Sequence, residues 1–257
     1  MGDVFDRFRL DGRTAIITGI GPGVGEHVAK AYAAAGANVV CAARTTSNIE
    51  RVAADIESAG GRAVAVTTDV TVPADLDRLV AHARDAFGPI HIVFNNATAG
   101  VVPMEDGVWG NTPDVWDQAF SSNVTSIFRL AELCFPDMER HGKGSIITVG
   151  SCGGYTPILP SIAYGVSKAA LNMLTRHLAK ALAPKARVNQ ICIGSMTPDG
   201  VELDAHKGYD LAARNAIQRF GKADEAVGAA LLLASDASSY TTGSTIFVEG
   251  GRVATIS

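Results

Sequence analysis

The stretch TAIITGIGPGVGEHVAKAYAAA, residues 14–35, decides how the rest of the chain is read. Its first five residues are apolar or β-branched, the composition of a strand buried on both faces. From Val24 onward apolar and polar residues recur with helical spacing. Between the two segments, Thr18 is followed by glycine at positions 19, 21, 23 and 25. Each glycine costs backbone entropy on folding. At a strand-to-helix junction the return is a turn whose unpaired amides, helped by the helix dipole, can receive an anion such as a phosphate. The spacing is not G-x-G-x-x-G, because the third glycine would fall on Val24. Nor is it a P-loop, because no lysine follows.

The same alternation runs through the whole chain. Strand-like runs at 37–43, 62–68, 90–94, 144–149, 187–193 and 244–248 alternate with helix-like segments at 47–59, 73–87, 113–140, 161–183 and 223–234. Such a pattern predicts an α/β fold: a doubly wound parallel sheet of about seven strands with helices on both faces. No linker or change of composition divides residues 1–257, so one domain is expected. The looser stretches 95–112, 151–160 and 194–219 are expected to build the substrate pocket, at the strand ends where ligands bind in such sheets.

Composition narrows the function classes. The chain is 257 residues long, 47% hydrophobic and 19% charged, which suits one sizeable core. A net charge of −4 without any basic run argues against a nucleic-acid partner. No window approaches ~18 uninterrupted apolar residues, so no membrane partner is expected. The opening MGDVFDRFRL is charged and lacks a signal-peptide core, and Asp6 stands where acylation wants Ser or Thr. Four scattered cysteines without a C-x-x-C pair suggest reduced thiols and a cytoplasmic protein. The six histidines show no metal-ligand spacing, so no metal is expected.

At the end of the second strand the chain reads CAARTTSN, with no acid from 38 through 49. An acid there would bind the ribose hydroxyl of NAD, whereas an arginine accommodates the 2′-phosphate of NADP. Arg44 offers a planar, always charged donor set, and Thr45 adds a hydroxyl. NADP(H) is thus favoured and NAD(H) remains possible.

Further on, SCGGYTPILPSIAYGVSK covers residues 151–168. Tyr164 and Lys168 are four apart on an expected helix and share one face. A phenol titrates near pH ~10, and a neighbouring ammonium lowers that value by favouring phenolate. Tyr164 can then accept or donate the proton of an alcohol or ketone, with Ser151 holding the substrate oxygen. Cys152 beside Ser151 has no evident base and reads as a small apolar filler.

The glycine turn, Ser151 and Tyr164-x-x-x-Lys168, in this order and register, resemble the short-chain dehydrogenase/reductase family over about Arg13 to Gly251. The resemblance implies a single-domain Rossmann fold and hydride transfer between a nicotinamide and a carbonyl or secondary alcohol. Gly19, Gly23, Val24 and Gly25 would form the cofactor turn, with Asp69 and Val70 at the adenine. Asn96 and Ala97, in an element similar to N-N-A-G, would also bind cofactor, as would Gly194 and Thr197. Lys168 would bind the nicotinamide ribose and tune Tyr164. Asn123, in SSNVT, would hold a water linking Lys168 to solvent. The resemblance also implies a homotetramer, or a dimer, with helices 113–140 and 161–183 packing between subunits.

Three departures stand out. Thr98 replaces the glycine of N-N-A-G, Ile193-Gly194 replaces Pro-Gly, and Thr197 lies one residue early. The expected substrate pocket comprises Thr98, Met104, Ser151, Tyr155, Leu159 and Met196, together with Val101. This mostly apolar set points to a hydrophobic or alicyclic ketone or alcohol as the small-molecule substrate. A 3-oxoacyl thioester reductase and a non-catalytic NADP(H)-sensing protein are the alternatives.

Overall fold

The computed structural model describes residues 3–197 and 212–254. Its first half alternates β1 (Thr14–Thr18), α1 (Val24–Ala34), β2 (Asn38–Ala43), α2 (Thr46–Ser58), β3 (Arg62–Thr67), α3 (Pro73–Phe87) and β4 (Ile90–Asn95). The second half follows with α4 (Pro113–Phe120), α5 (Ser126–His141), β5 (Gly144–Ser151), α6 (Ile162–Leu182) and β6 (Ala186–Ile193). Two short strands, β7 (Met196–Thr197) and β8 (Gly221–Lys222), precede α7 (Val227–Ala234) and β9 (Thr245–Val248).

Seven strands form one parallel sheet in the order β3-β2-β1-β4-β5-β6-β9. Successive side chains leave opposite faces of a strand, so β1 sends Ala15 and Ile17 one way and Ile16 the other. Ile17, Val39, Phe94 and Ile191 meet Val28 and Tyr32 of α1, Ile49 and Val52 of α2, and Leu233 of α7. Ile16, Val40, Val93 and Val188 meet Leu76 and Leu79 of α3, Leu130 and Cys134 of α5, and Leu178 of α6. The near-continuous apolar runs of the strands are thus a consequence of two covered faces.

Topology places the ligand edge. The sheet grows from β1 toward β3 in one direction and from β4 toward β9 in the other. At that switch point the loops after β1 and β4 diverge and leave a crevice beyond the strand C-termini.

Two expectations need correction. Residues 113–140 are not one regular helix: a π-helical turn, Ser121–Thr125, separates α4 from α5, with the Ser126 amide reaching back to the Ser121 carbonyl. The extra residue widens the helix and turns Asn123 inward, where it is fully buried. The second correction concerns 194–219, where β7 pairs with β8, just beyond the stretch, in a small separate ladder rather than belonging to a plain loop. Residues 198–211 of that stretch lie outside the described residues.

Phe94 and Tyr32 meet edge to face at 6.1 Å beneath the switch point, and the Tyr32 hydroxyl donates to the Ala230 carbonyl at 2.9 Å. Phe94→Ala is expected to lower unfolding free energy by about 3–5 kcal/mol, readable by chemical denaturation.

Candidate active site

A cleft of about 640 Å³ opens at the switch point. Gly19, Gly23 and Val24 line one side, Arg44, Thr45, Asp69 and Val70 the next, and Asn96, Ala97, Thr98, Tyr164, Lys168, Gly194, Met196 and Thr197 the remainder. Most residues singled out from the sequence therefore converge on one space. Ile193, noted above as a departure from Pro-Gly, joins them, as do Asn48, Thr68, Gln118, Ser122 and Val149, which were not foreseen. For Asn48 the signal was available, since it lies in the first turn of α2, four residues after Arg44.

The glycines have separate reasons. Gly19 has φ +71°, and a Cβ there would stand 2.5 Å from the Ala97 amide nitrogen. Gly25 is packed as tightly, with 2.7 Å to the Gly19 carbonyl oxygen. Gly23 differs: its φ is +141°, but a Cβ would meet no protein atom within 4 Å, only open cleft. Gly21 has an ordinary φ, and its nearest contact would be Asn48 Nδ2 at 3.7 Å. Gly23 also caps α1 without any side-chain bond to the helix amides. Bare amides beside a cradle that a Cβ would fill fit a pyrophosphate.

Asn96 braces the turn by donating Nδ2 to the Gly19 carbonyl at 2.8 Å. The Asp69 carboxylate accepts the Thr71 amide and hydroxyl at 2.9 and 2.7 Å. Arg44 is exposed and makes no side-chain bond among the described residues. The Thr45 hydroxyl, although at the N-cap of α2, makes no capping bond.

At the other end, Tyr164 and Lys168 come from α6. Lys168 is 2% exposed, donates Nζ to the Val149 carbonyl at 2.9 Å, and stands 5.5 Å from the centre of the Tyr164 ring. Burial pushes its pKa down to about 8. Burial also raises the Tyr164 phenol above its ordinary value, opposed by hydrogen bonds with Ser151 and Thr98 and assisted by the thiols of Cys192 and Cys152. Ser151 ends β5, and its Oγ accepts the Gly153 amide at 3.1 Å, leaving its proton to give. Asn123 spends its whole side chain on neighbours. Nδ2 donates to the Ala99 carbonyl and Ser167 Oγ, both at 2.9 Å, and Oδ1 accepts Thr98 Oγ1 and the Ala99 amide. Any water at Asn123 would have to be held by its main chain.

Four of the six expected pocket residues do not line this cleft, Ser151 among them, although its neighbours Val149 and Gly150 do. Tyr155 turns away, because the single 3-10 turn Cys152–Gly154 redirects the chain. Its ring packs on Phe247 at 5.0 Å, and its hydroxyl donates to Gln190 and Thr245. Met104 and Leu159 lie on the outer surface, 65% and 62% exposed. Val101, also expected there, is 66% exposed and lines no part of it. Cys152 is buried, with Sγ toward the Ile193 carbonyl at 3.6 Å, in keeping with a filler.

Gly19→Ala is expected to cost stability and abolish nicotinamide-cofactor binding, while Gly21→Ala leaves affinity within about twofold. Thermal unfolding with fluorescence titration of NADPH checks both.

Comparison with known proteins agrees with this geometry. The family model described as enoyl-(acyl carrier protein) reductase matches residues 19–252. An uncharacterized oxidoreductase of Mycobacterium tuberculosis is 38% identical, over 96% of this chain and 95% of its own. The 7alpha-hydroxysteroid dehydrogenase of Escherichia coli is 34% identical over 96% and 97%. Among solved structures, a gluconate 5-dehydrogenase of Burkholderia cenocepacia, in complex with NADP and tartrate, superposes with a TM-score of 0.88. It is 30% identical, covering 99% of this chain and 100% of that one. A likeness that spans nearly the whole chain, in sequence and in structure, is inheritance of a whole fold, and the chain belongs to the short-chain dehydrogenase/reductase family of oxidoreductases.

Proposed function

We propose that this oxidoreductase interconverts a hydrophobic or alicyclic ketone and its secondary alcohol with NADP(H). The observation that carries the reading is the placement of Tyr164 and Lys168 together at one end of the glycine-turn cleft, with Ser151 at the end of the neighbouring strand β5. When bound, the reduced nicotinamide supplies the hydride, so the protein must manage only the proton and the charge on oxygen.

Tyr164 gives its phenolic proton to the substrate oxygen in reduction and takes it back in oxidation. Ser151 donates a hydrogen bond to the same oxygen, stabilising the charge that develops there. Lys168 favours phenolate through its ammonium, and Asn123 fixes the loop carrying Ala97, Thr98 and Ala99. Burial keeps Tyr164 protonated at neutral pH. Reduction is therefore full below the Tyr164 pKa and falls as pH rises through it, whereas oxidation climbs over the same range. Above about pH 8 the free protein also loses the Lys168 charge.

Arg44 and Thr45 supply the case for NADP(H): a cation and a hydroxyl at the end of β2, both uncommitted, with no acid beside them. Thr98 and Met196 line the substrate end. The family model's description, which names an acyl-carrier thioester reductase, keeps acyl thioesters in the substrate panel beside the ketones, with the 3-oxoacyl thioester as the alternative substrate.

The reading extends to one domain over residues 1–257 and to a homotetramer or dimer. Exposed Phe128 on α5, with Val166 and Met173 seven residues apart on α6, is the apolar surface available for such contacts. All four cysteines are free and buried, as suits the cytoplasm. Among the described residues no helix is long and apolar enough to cross a membrane.

Tyr164→Phe is expected to lower turnover by at least about 100-fold with NADPH affinity kept, and unchanged activity across a ketone and alcohol panel would remove Tyr164 from this role. Arg44→Ala should weaken NADPH binding by about tenfold or more and leave NADH binding unaltered, measured by fluorescence titration. A wild type that prefers NADH would overturn the cofactor reading.

A further inference from the structure

At the end of the sheet opposite the cleft, where β5 and β6 begin, a second hollow of about 380 Å³ is lined by five cations and one carboxylate. Arg7 and Arg13 precede β1, Lys143 precedes β5, and Lys185 and Arg187 flank the first residue of β6. Asp236 is the acid, and Arg13 already pairs with it at 2.7 Å. The other two guanidiniums are held by neutral oxygens. Arg7 donates to the Asp236 carbonyl and to Ser239 Oγ at 3.1 and 3.3 Å. Arg187 donates to Ser238 Oγ and to the carbonyls of Leu233, Ser235 and Thr241. Lys143 and Lys185 are exposed and make no side-chain bond among the described residues.

Cations at this end of a parallel sheet have a structural use, because α5 and α6 point their partially negative C-termini at it. Those helices already carry Arg140 and Lys180 in their own last turns. Even with about half a negative charge for each helix end and the full charge of Asp236, the hollow keeps a surplus of about three positive charges. The chain as a whole has a net charge of −4, so this surplus is local. A concavity lined by one sign of charge concentrates the field and draws in counter-ions. No aromatic or large aliphatic side chain lines it, so a fitting occupant has little apolar surface. We propose that the hollow binds a compact phosphate-bearing polyanion, with Lys143 and Lys185 as its charged ligands and the fixed guanidiniums as a positive wall. The site is separate from the cofactor cleft, since no residue lines both. Its place in the fold gives binding a consequence. Gly144 and Ala186 are register partners, and the Gly144 amide donates to the Lys185 carbonyl at 3.0 Å. The two lysines therefore flank the first rung of the β5–β6 pair, and a bridging anion closes it at the end of β5 opposite Ser151.

The test is calorimetric titration of pyrophosphate into the wild type, into Lys143→Ala and Lys185→Ala, and into the double variant. Binding common to the wild type and the double variant belongs elsewhere, such as the glycine-turn cleft, and the difference belongs to the hollow. Each single variant is expected to weaken that component by about tenfold, and the double variant to abolish it. Lys180→Ala removes an equal charge from α6 outside the hollow and should leave affinity within about twofold. Affinity should fall as salt is raised, and pyrophosphate should raise the unfolding temperature of the wild type more than that of the double variant. Both lysines are exposed, so the variants are expected to unfold at the wild-type temperature without pyrophosphate. The proposal fails if the wild type and the double variant bind alike, or if neither binds at about 1 mM. It fails equally if Lys180→Ala weakens binding as much as the hollow variants, or if citrate binds the hollow as tightly as pyrophosphate. Neither cofactor nor turnover enters the experiment, so its outcome is independent of the function proposed for the cleft.

Discussion

The Thr18 hydroxyl ends β1 by accepting the backbone amides of Asn96 and Ala97, at 3.2 and 3.3 Å, and so ties the loop after β4 to the glycine turn. Asn96 returns the tie through Nδ2 to the Gly19 carbonyl. Because these two loops leave the switch point of the sheet, their separation defines the floor of the cleft. Gly19 permits the approach, since any Cβ there would occupy the space of the Ala97 backbone. The same contact delivers Thr98 and Ala99 to Asn123, which bonds Ser167 on the helix that carries Tyr164. One hydroxyl at a strand end therefore fixes the relation between the cofactor turn and the acid–base group, which come from segments nearly 150 residues apart in sequence.

How much of this was legible in the sequence depended on range. The parallel sheet was readable because burial on both faces turns strands such as Ala15–Ile17 and Ile90–Phe94 into apolar runs that amphipathic helices interrupt. Tyr164 and Lys168 were readable because four residues on a helix always share a face. The path of the chain after Ser151 was not. Whether Tyr155 entered the pocket depended on one 3-10 turn and on a long-range ring contact with Phe247, neither of which has a periodic signature. The π turn at Ser121–Thr125 was equally silent, since SSNVT is as polar and as compatible with an α-helix as its neighbours. Thr98 showed itself as a departure from a pattern, but its partner, Asn123, is 25 residues away and only the folded loop reveals it.

The acid–base poise of the site follows from a balance between burial and charge. Burial disfavours both the ammonium of Lys168 and the phenolate of Tyr164, and it moves their pKa values toward each other, one down and one up. Their mutual attraction opposes it. That attraction operates only while Lys168 stays charged, and the bond to the Val149 carbonyl is what favours the ammonium in so buried a place. The carbonyl belongs to β5, the strand that two residues later presents Ser151. The sheet that positions the substrate oxygen therefore also sustains the charge that lets Tyr164 release its proton, and a distortion of β5 would disturb geometry and titration together.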